Sequence, residues 1–344
     1  MEYQSESNRL LYSQLLAECG RGGTSGGRGL SFVSKNQRGQ KYWYLQLVVG
    51  SAKTQHYLGP DSEELRARMA REKELWTNAE PDRRSREKLV AMLIAGGAAT
   101  VSASEARILE LLDRSGVFLV DGTVVGSHAF GIYANMLGVR WESETIRTQD
   151  LDLAAANNFE IGIHDKPADL HKALLESGMG FFEVPALNRK YPSTSYMIRG
   201  QQFTVDLLTP MYGAASAQPV EIKALRSSAE PVRFLDYLLA DKETAVVVAR
   251  AGILVNVPAP ARYALHKLVI AKRRKATMQT KVLKDIAQAQ QLIELLIQDR
   301  PGDLMLAWEA AREQPEKFQK QMSEGFNLLP KDQQNRLKET LGIE

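Results

Sequence analysis

The chain has 344 residues, room for two domains or three with real cores. Hydrophobic residues make up 44% and charged residues 25%, as in ordinary soluble globular proteins, and a net charge of +3 gives no bulk sign of a nucleic-acid binder. The single cysteine, Cys19, excludes an internal disulfide framework and a cysteine-built zinc site; no apolar run approaches the ~18 residues of a membrane span, and the polar N-terminus lacks a signal-peptide core, so a reduced, cytoplasmic setting is expected.

Residues 8–19 carry helical spacing, with Leu10, Leu11, Leu15 and Leu16 on one side. Residues 20–29 form a glycine tract holding Arg21 and Arg28, which suits a solvated linker and, alternatively, contact with nucleic acid. Residues 30–59 read as a small antiparallel sheet, ended by Gly59-Pro60. In it Lys35, Arg38, Lys41 and Lys53 lie among Tyr42, Trp43, Tyr44 and Tyr57, which fits half-buried sheet aromatics first and a nucleic-acid surface second. Residues 61–95 are rich in charge and helix formers, with Pro81 expected to divide two helices. A boundary falls near residue 100, before a helix at 104–115 with Ser102 or Ser104 as N-cap.

Strands and helices alternate over 117–210. Val117-Phe118-Leu119-Val120 reads as a buried-type strand that Val124-Val125 continues after Gly122. Ser127 to Leu137 reads as a helix ended by Gly138, Gln149 to Ala154 as a strand, and Asp169 to Ser177 as a helix ended by Gly178. Tyr196 to Arg199 and Phe203 to Leu208 make a hairpin turning at Gly200. A second hairpin, 244–249 with 253–257, precedes helical spacing at 261–275, 278–297, 302–313 and 315–329.

The chemistry concentrates in three acids and one turn. Strand positions i and i+2 project from one face, so Asp150 and Asp152 stand side by side while Leu151 and Leu153 face the core. Adjacent carboxylates repel and lose solvation unless a cation neutralises them; Mg²⁺ or Mn²⁺ does so and also takes phosphate oxygens. Asp206, an acid in an otherwise apolar strand, suits a third metal ligand or the base for an acceptor hydroxyl. Gly126-Ser127 ahead of a helix offers N–H groups to phosphate, or is simply a capped turn. Lys272-Arg273-Arg274-Lys275, with Lys267, Lys281 and Lys284, forms a basic helical stretch fit for a triphosphate, an RNA acceptor or plain solvation. His128, directly after Ser127, fits a packing or capping residue first and a site-facing one second, and one of His266 and Lys267 is expected to face the core. No Gly-x-Ser-x-Gly elbow surrounds Ser127, and no Walker or dinucleotide fingerprint is present.

This set resembles the signature of the nucleotidyltransferase superfamily that includes DNA polymerase beta: Gly-Ser opening a helix, an Asp-x-Asp strand, and a later Asp on an adjacent strand. Gly126, Ser127, Asp150, Asp152 and Asp206 match it residue for residue. Over about 117–297 the chain is similar to the bacterial stand-alone branch, which includes abortive-infection toxins. That branch has a lysine-bearing helix after the core, which Arg262 to Leu268 resembles, and a helix with a Lys-Asp pair, which Lys284-Asp285 resembles. The resemblance implies that Lys267 contacts the triphosphate and that Asp285 orients it or positions the nucleotide. The gap between Ser127 and Asp150 is longer than in compact members, and its insertion is either an ordered loop that brings Arg147 near phosphate or a harmless extension.

The expected fold is α+β: a nucleotidyltransferase-type mixed sheet core at 101–257, a helical C-terminal domain at 258–344, and a small accessory domain of sheet and helices at 1–100. The expected activity is metal-dependent transfer of an NMP from an NTP such as ATP to an acceptor hydroxyl or phosphate on RNA or protein. By resemblance, a toxin or phage-defence role with an antitoxin partner follows, and no membrane partner is expected. The alternatives are an antibiotic-type small-molecule acceptor and a nucleic-acid-binding protein with an inactive transferase core.

Overall fold

In a computed structural model the described residues are 1–22, 30–37, 39–49, 52–142, 150–156, 168–214, 216–274 and 276–343. The chain starts with β1 (Glu2–Tyr3) and α1 (Glu6–Gly22). A meander of β2 (Leu30–Gln37), β3 (Gln40–Val49) and β4 (Ala52–Pro60) follows, all antiparallel. Helix α2 (Glu63–Ala95) begins where the Ser62 side chain accepts from Leu65 N–H and where Glu63 and Glu64 meet the positive helix end. Pro81 does not divide two helices: it lies inside an unbroken α2. Ion pairs from Arg83 to Glu80 and Glu87, and from Arg84 to Glu80, bridge successive turns beside the missing donor.

Helix α3 (Ala103–Arg114) opens with a reciprocal capping box between Ser102 and Glu105. The expected strand at 117–120 is instead a wound turn. Its amides bond backward, Val117 to Leu112 O and Leu119 and Val120 to Gly116 O, while Val117 and Phe118 stay buried. Gly122 closes the turn, since a Cβ there would lie 2.7 Å from Val117 O. Only β5 (Thr123–Val124) is extended, and it runs straight into α4 (Gly126–Met136). Next come β6 (Val139–Arg140), β7 (Asp150–Ala154), α5 (Leu170–Leu175), β8 (Phe181–Glu183), β9 (Ser195–Ile198) and β10 (Thr204–Pro210). Then follow β11 (Val220–Ile222), β12 (Ser227–Val232), α6 (Leu235–Leu239), β13 (Lys242–Val247) and β14 (Ile253–Pro258). The chain finishes with α7 (Pro260–Arg273), α8 (Gln279–Asp299), α9 (Pro301–Arg312), α10 (Glu316–Phe326) and α11 (Lys331–Leu341).

The central sheet is mixed, in the order β11-β12-β10-β7-β5. Strand β10 pairs parallel to β7 on one side; on the other it pairs antiparallel to β9 and then parallel to β12. Leu151, Leu153, Val205 and Leu207 enter one core, leaving the alternate positions on the opposite face. That core continues into α7 and α8 through Tyr263, Leu265, Leu268, Leu292 and Leu296.

A second cluster joins Tyr12, Leu15 and Cys19 of α1 to Leu89, Val90 and Leu93 of α2 and to Val246 and Val248. Tyr12 Oη accepts from Val246 N–H at 3.0 Å, so α1 and the end of α2 rest on β13. Leu10 does not share this face; it is 71% exposed. Burying Leu93 completely makes it a sensitive reporter of the joint. Leu93→Ala is expected to cost about 2–5 kcal/mol in urea unfolding followed by circular dichroism.

Candidate active site

The site starts from strand register. In the parallel β7–β10 pair Asp206 lies opposite Asp152 and Thr204 opposite Asp150; in the antiparallel β9–β10 pair Ser195 lies opposite Asp206. A polar row of Ser195, Asp206 and Asp152 therefore crosses three strands at a spacing of about 4.8 Å. Ser195 Oγ donates to Asp206 Oδ1. Thr204 Oγ1 donates to Asp150 Oδ1 at 3.1 Å and lies 3.4 Å from Asp206 Oδ2.

The first turn of α4 presses onto this row. Val125 N–H donates to Asp152 O at 2.9 Å, and Gly126 follows with φ 64°. A Cβ at Gly126 would stand 2.1 Å from Asp152 Oδ2, so no side chain fits there. No side chain caps this helix end at Val125, which leaves N–H groups to an outside acceptor. His128 does pack, as the sequence suggests: Nε2 lies 3.0 Å from Glu105 Oε1, and Nδ1 lies 3.1 Å from Asp150 O. The hydrogen bond from His128, opposed by burial and aided by Ser102, holds the Glu105 carboxyl down at about 2.

Helices α7 and α8 provide an adjoining wall. Tyr263 Oη lies 2.8 Å from Gly126 O and 3.0 Å from Gln288 Oε1, while Gln288 Nε2 lies 3.5 Å from Ser127 Oγ. Lys267 Nζ donates to Asp285 Oδ1 at 2.7 Å, and Arg274 Nε donates to Asp285 Oδ2. Asp285 is 2% exposed, where an unpaired carboxylate is costly. Burial works to raise its pKa, but Lys267 and Arg274 outweigh burial and hold it below the usual range. Both members of the His266–Lys267 pair are buried, and burial pushes His266 down to about 3, so its imidazole is neutral.

Electrostatics couple wall and sheet. Burial, then Asp206 and Asp150, push the Asp152 carboxyl up to about 6, against the pull of Lys267 and His128. Burial and Asp150 also raise Asp206, while Ser195, Thr204 and Lys281 work against them. Burial and Lys267 lower Lys284, and Asp150 opposes them. Among the described residues no three His, Cys, Asp or Glu side chains converge on one point. Asp206 is turned to Ser195 and Asp152 is packed on Gly126, so the acids share a face without closing on a centre. As donors they suit a hard cation: all are oxygen ligands, and burial with neighbouring negative charge raises two of them.

Of the sequence-predicted residues, the fold thus brings Gly126, Asp150, Asp152 and Asp206 onto one face, links Ser127 to it through Gln288, and joins Lys267 to Asp285 on the wall. Arg147 lies outside the described residues. Sequence reasoning passed over Ser195, which the hairpin register at Gly200 already places opposite Asp206, and Thr204, which shares a face with Asp206 and meets Asp150 only through the β7–β10 pairing. Tyr263 and Gln288 carry no local signal, because their partners are distant in sequence; for Glu105 the Ser102 capping box is a local signal but its contact with His128 is not.

A family model described as nucleotidyltransferase matches residues 104–313, and the chain belongs to that family. No curated protein and no solved structure matches the chain.

The raised Asp152 makes a stability prediction. The native state holds this proton up to about pH 6, whereas an unfolded aspartic acid releases it near 4, so Asp152 makes stability fall as pH rises between those values. Without added metal, Asp152→Asn is expected to flatten that fall and to raise the midpoint of thermal unfolding at pH 7 relative to wild type.

Proposed function

We propose that the protein transfers a nucleoside monophosphate from an NTP to an acceptor hydroxyl or phosphate, with release of pyrophosphate. The observation that carries this reading is the Ser195–Asp206–Asp152 row pressed against Gly126 at the start of α4. Asp150, Asp152 and Asp206 would hold the divalent ions; when bound, Mg²⁺ neutralises phosphate oxygens and acidifies the acceptor oxygen. Asp206, steadied by Ser195 and Thr204, also has the raised carboxyl that suits taking the acceptor's proton. The N–H groups at Gly126-Ser127 would receive phosphate. Lys267 would meet the triphosphate, with Asp285 as its positioning residue and Arg274 bracing the far side of that carboxylate.

The cations of this wall favour a polyanionic acceptor, and RNA is the class assigned, with protein next. The toxin or phage-defence role and the antitoxin partner rest on the resemblance to abortive-infection proteins. Expression of wild type against an acid-deficient variant in a bacterial host tests that role through growth arrest. For the chemistry, purified protein with α-labelled NTPs and Mg²⁺ is expected to label RNA. Asp150→Ala with Asp152→Ala is expected to abolish labelling while circular dichroism stays native. Surviving label in that variant would remove these two acids from the mechanism.

A further inference from the structure

The meander β2–β3–β4 has two unlike faces. One turns to the start of α2: Trp43 Nε1 donates to Asp61 at 2.7 Å, and the Leu65 side chain lies 3.7 Å from the place of a Cβ on Gly59. The other presents Tyr42, Tyr44 and Tyr57, brought together because Tyr44 pairs with Tyr57 across β3–β4 and Lys35 pairs with Tyr42 across β2–β3. Ring centroids lie 5.5 Å apart for Tyr44–Tyr57 and 6.1 Å for Tyr42–Tyr57. Tyr57 is 58% exposed, and the Lys35 ammonium lies 4.8 Å over the Tyr44 ring. Gln55 Nε2 donates to Gln46 Oε1 at 2.9 Å on the same face, adding amides able to meet base edges.

Charge is uneven in the same direction. Residues 20–60 contain Arg21, Arg28, Lys35, Arg38, Lys41 and Lys53 and not one acid, a formal +6 against +3 for the whole chain. The rest of the protein sums to net negative, so this segment and the acid-free run 244–284 that carries the basic wall hold the protein's anion-attracting charge. Aromatic faces that accept any base, with lysines for phosphates, are the chemistry of single-strand binding; a duplex hides its base faces, and a protein partner would not need an acid-free segment.

We propose that the tyrosine face of this sheet binds single-stranded nucleic acid. Its further consequence, that the bound strand is the acceptor of nucleotidyl transfer, rests on the function proposed above.

Fluorescence anisotropy of the full-length protein with a labelled single-stranded RNA of ~16 nucleotides, in EDTA and without NTP, reads this surface apart from the acids. Wild type is expected to bind, more weakly as salt rises. Replacing Tyr42, Tyr44 and Tyr57 together by Ala is expected to weaken binding at least about fivefold, whereas their replacement by Phe keeps it, because stacking needs the ring and not the hydroxyl. Lys35→Glu, at an exposed position that leaves the sheet's packing alone, is expected to weaken binding too. No wild-type binding, an unchanged alanine triple, a Phe triple as weak as the alanine triple, unchanged binding by Lys35→Glu, or a preference for duplex or for anionic lipid vesicles would each overturn the proposal. Strand binding without NTP labelling would defeat only the transferase reading, and labelling without strand binding would defeat only this one.

Discussion

The structure hangs on one contact: the carboxylate of Asp152 against the Cα of Gly126. It requires a residue without a side chain at the first turn of α4, and it couples that turn to the strand that pairs with β10. Because a sheet's side chains alternate, a slip of β7 by one residue against β10 would send Asp150 and Asp152 into the core and Leu151 and Leu153 to the opposite face. The apolar residues of both strands thus hold the acids in place. The energy that fixes the site lies in Val205, Leu207 and their neighbours, which have no chemical role.

The acids oppose that packing. Burial and mutual repulsion raise Asp152 and Asp206, so the fold stores an unfavourable arrangement at the candidate site. The wall answers in part. Lys267 and Lys281 pull against the rise, and Lys267 is itself committed to Asp285. Tyr263 ties the wall to the turn through Gly126 O, so a displacement of α7 is felt at the start of α4. Two cations on one nearly inaccessible carboxylate make Asp285 a brace for the wall, and the loss of either partner would leave charge unpaired.

The placement of the candidate residues on one face was legible because they break local pattern. An acid in an apolar strand is conspicuous, and the alternation Asp150-Leu151-Asp152-Leu153 fixes which residues share a face. Glycine at positions 138 and 200 marked a helix end and a hairpin correctly, since both adopt positive φ. The run 117–120 misled because burial alone does not distinguish a strand from a turn wound on itself; Gly116 and Gly122 at its ends carried the missing information. Pro81 misled because one lost hydrogen bond is tolerated in a long helix laced by ion pairs. The Gln288–Tyr263 link was not legible at all, since its meaning depends on α8 docking against α7.

The central claim is that Asp150, Asp152 and Asp206 together hold divalent cations. Titration of the protein with Mn²⁺, followed by electron paramagnetic resonance of the free ion, addresses it without any assumption about the acceptor. Wild type is expected to take up Mn²⁺, more tightly with NTP present, and Asp206→Asn to lose most of that uptake. Equal uptake by wild type and Asp206→Asn, or none by wild type even with NTP, would contradict the account.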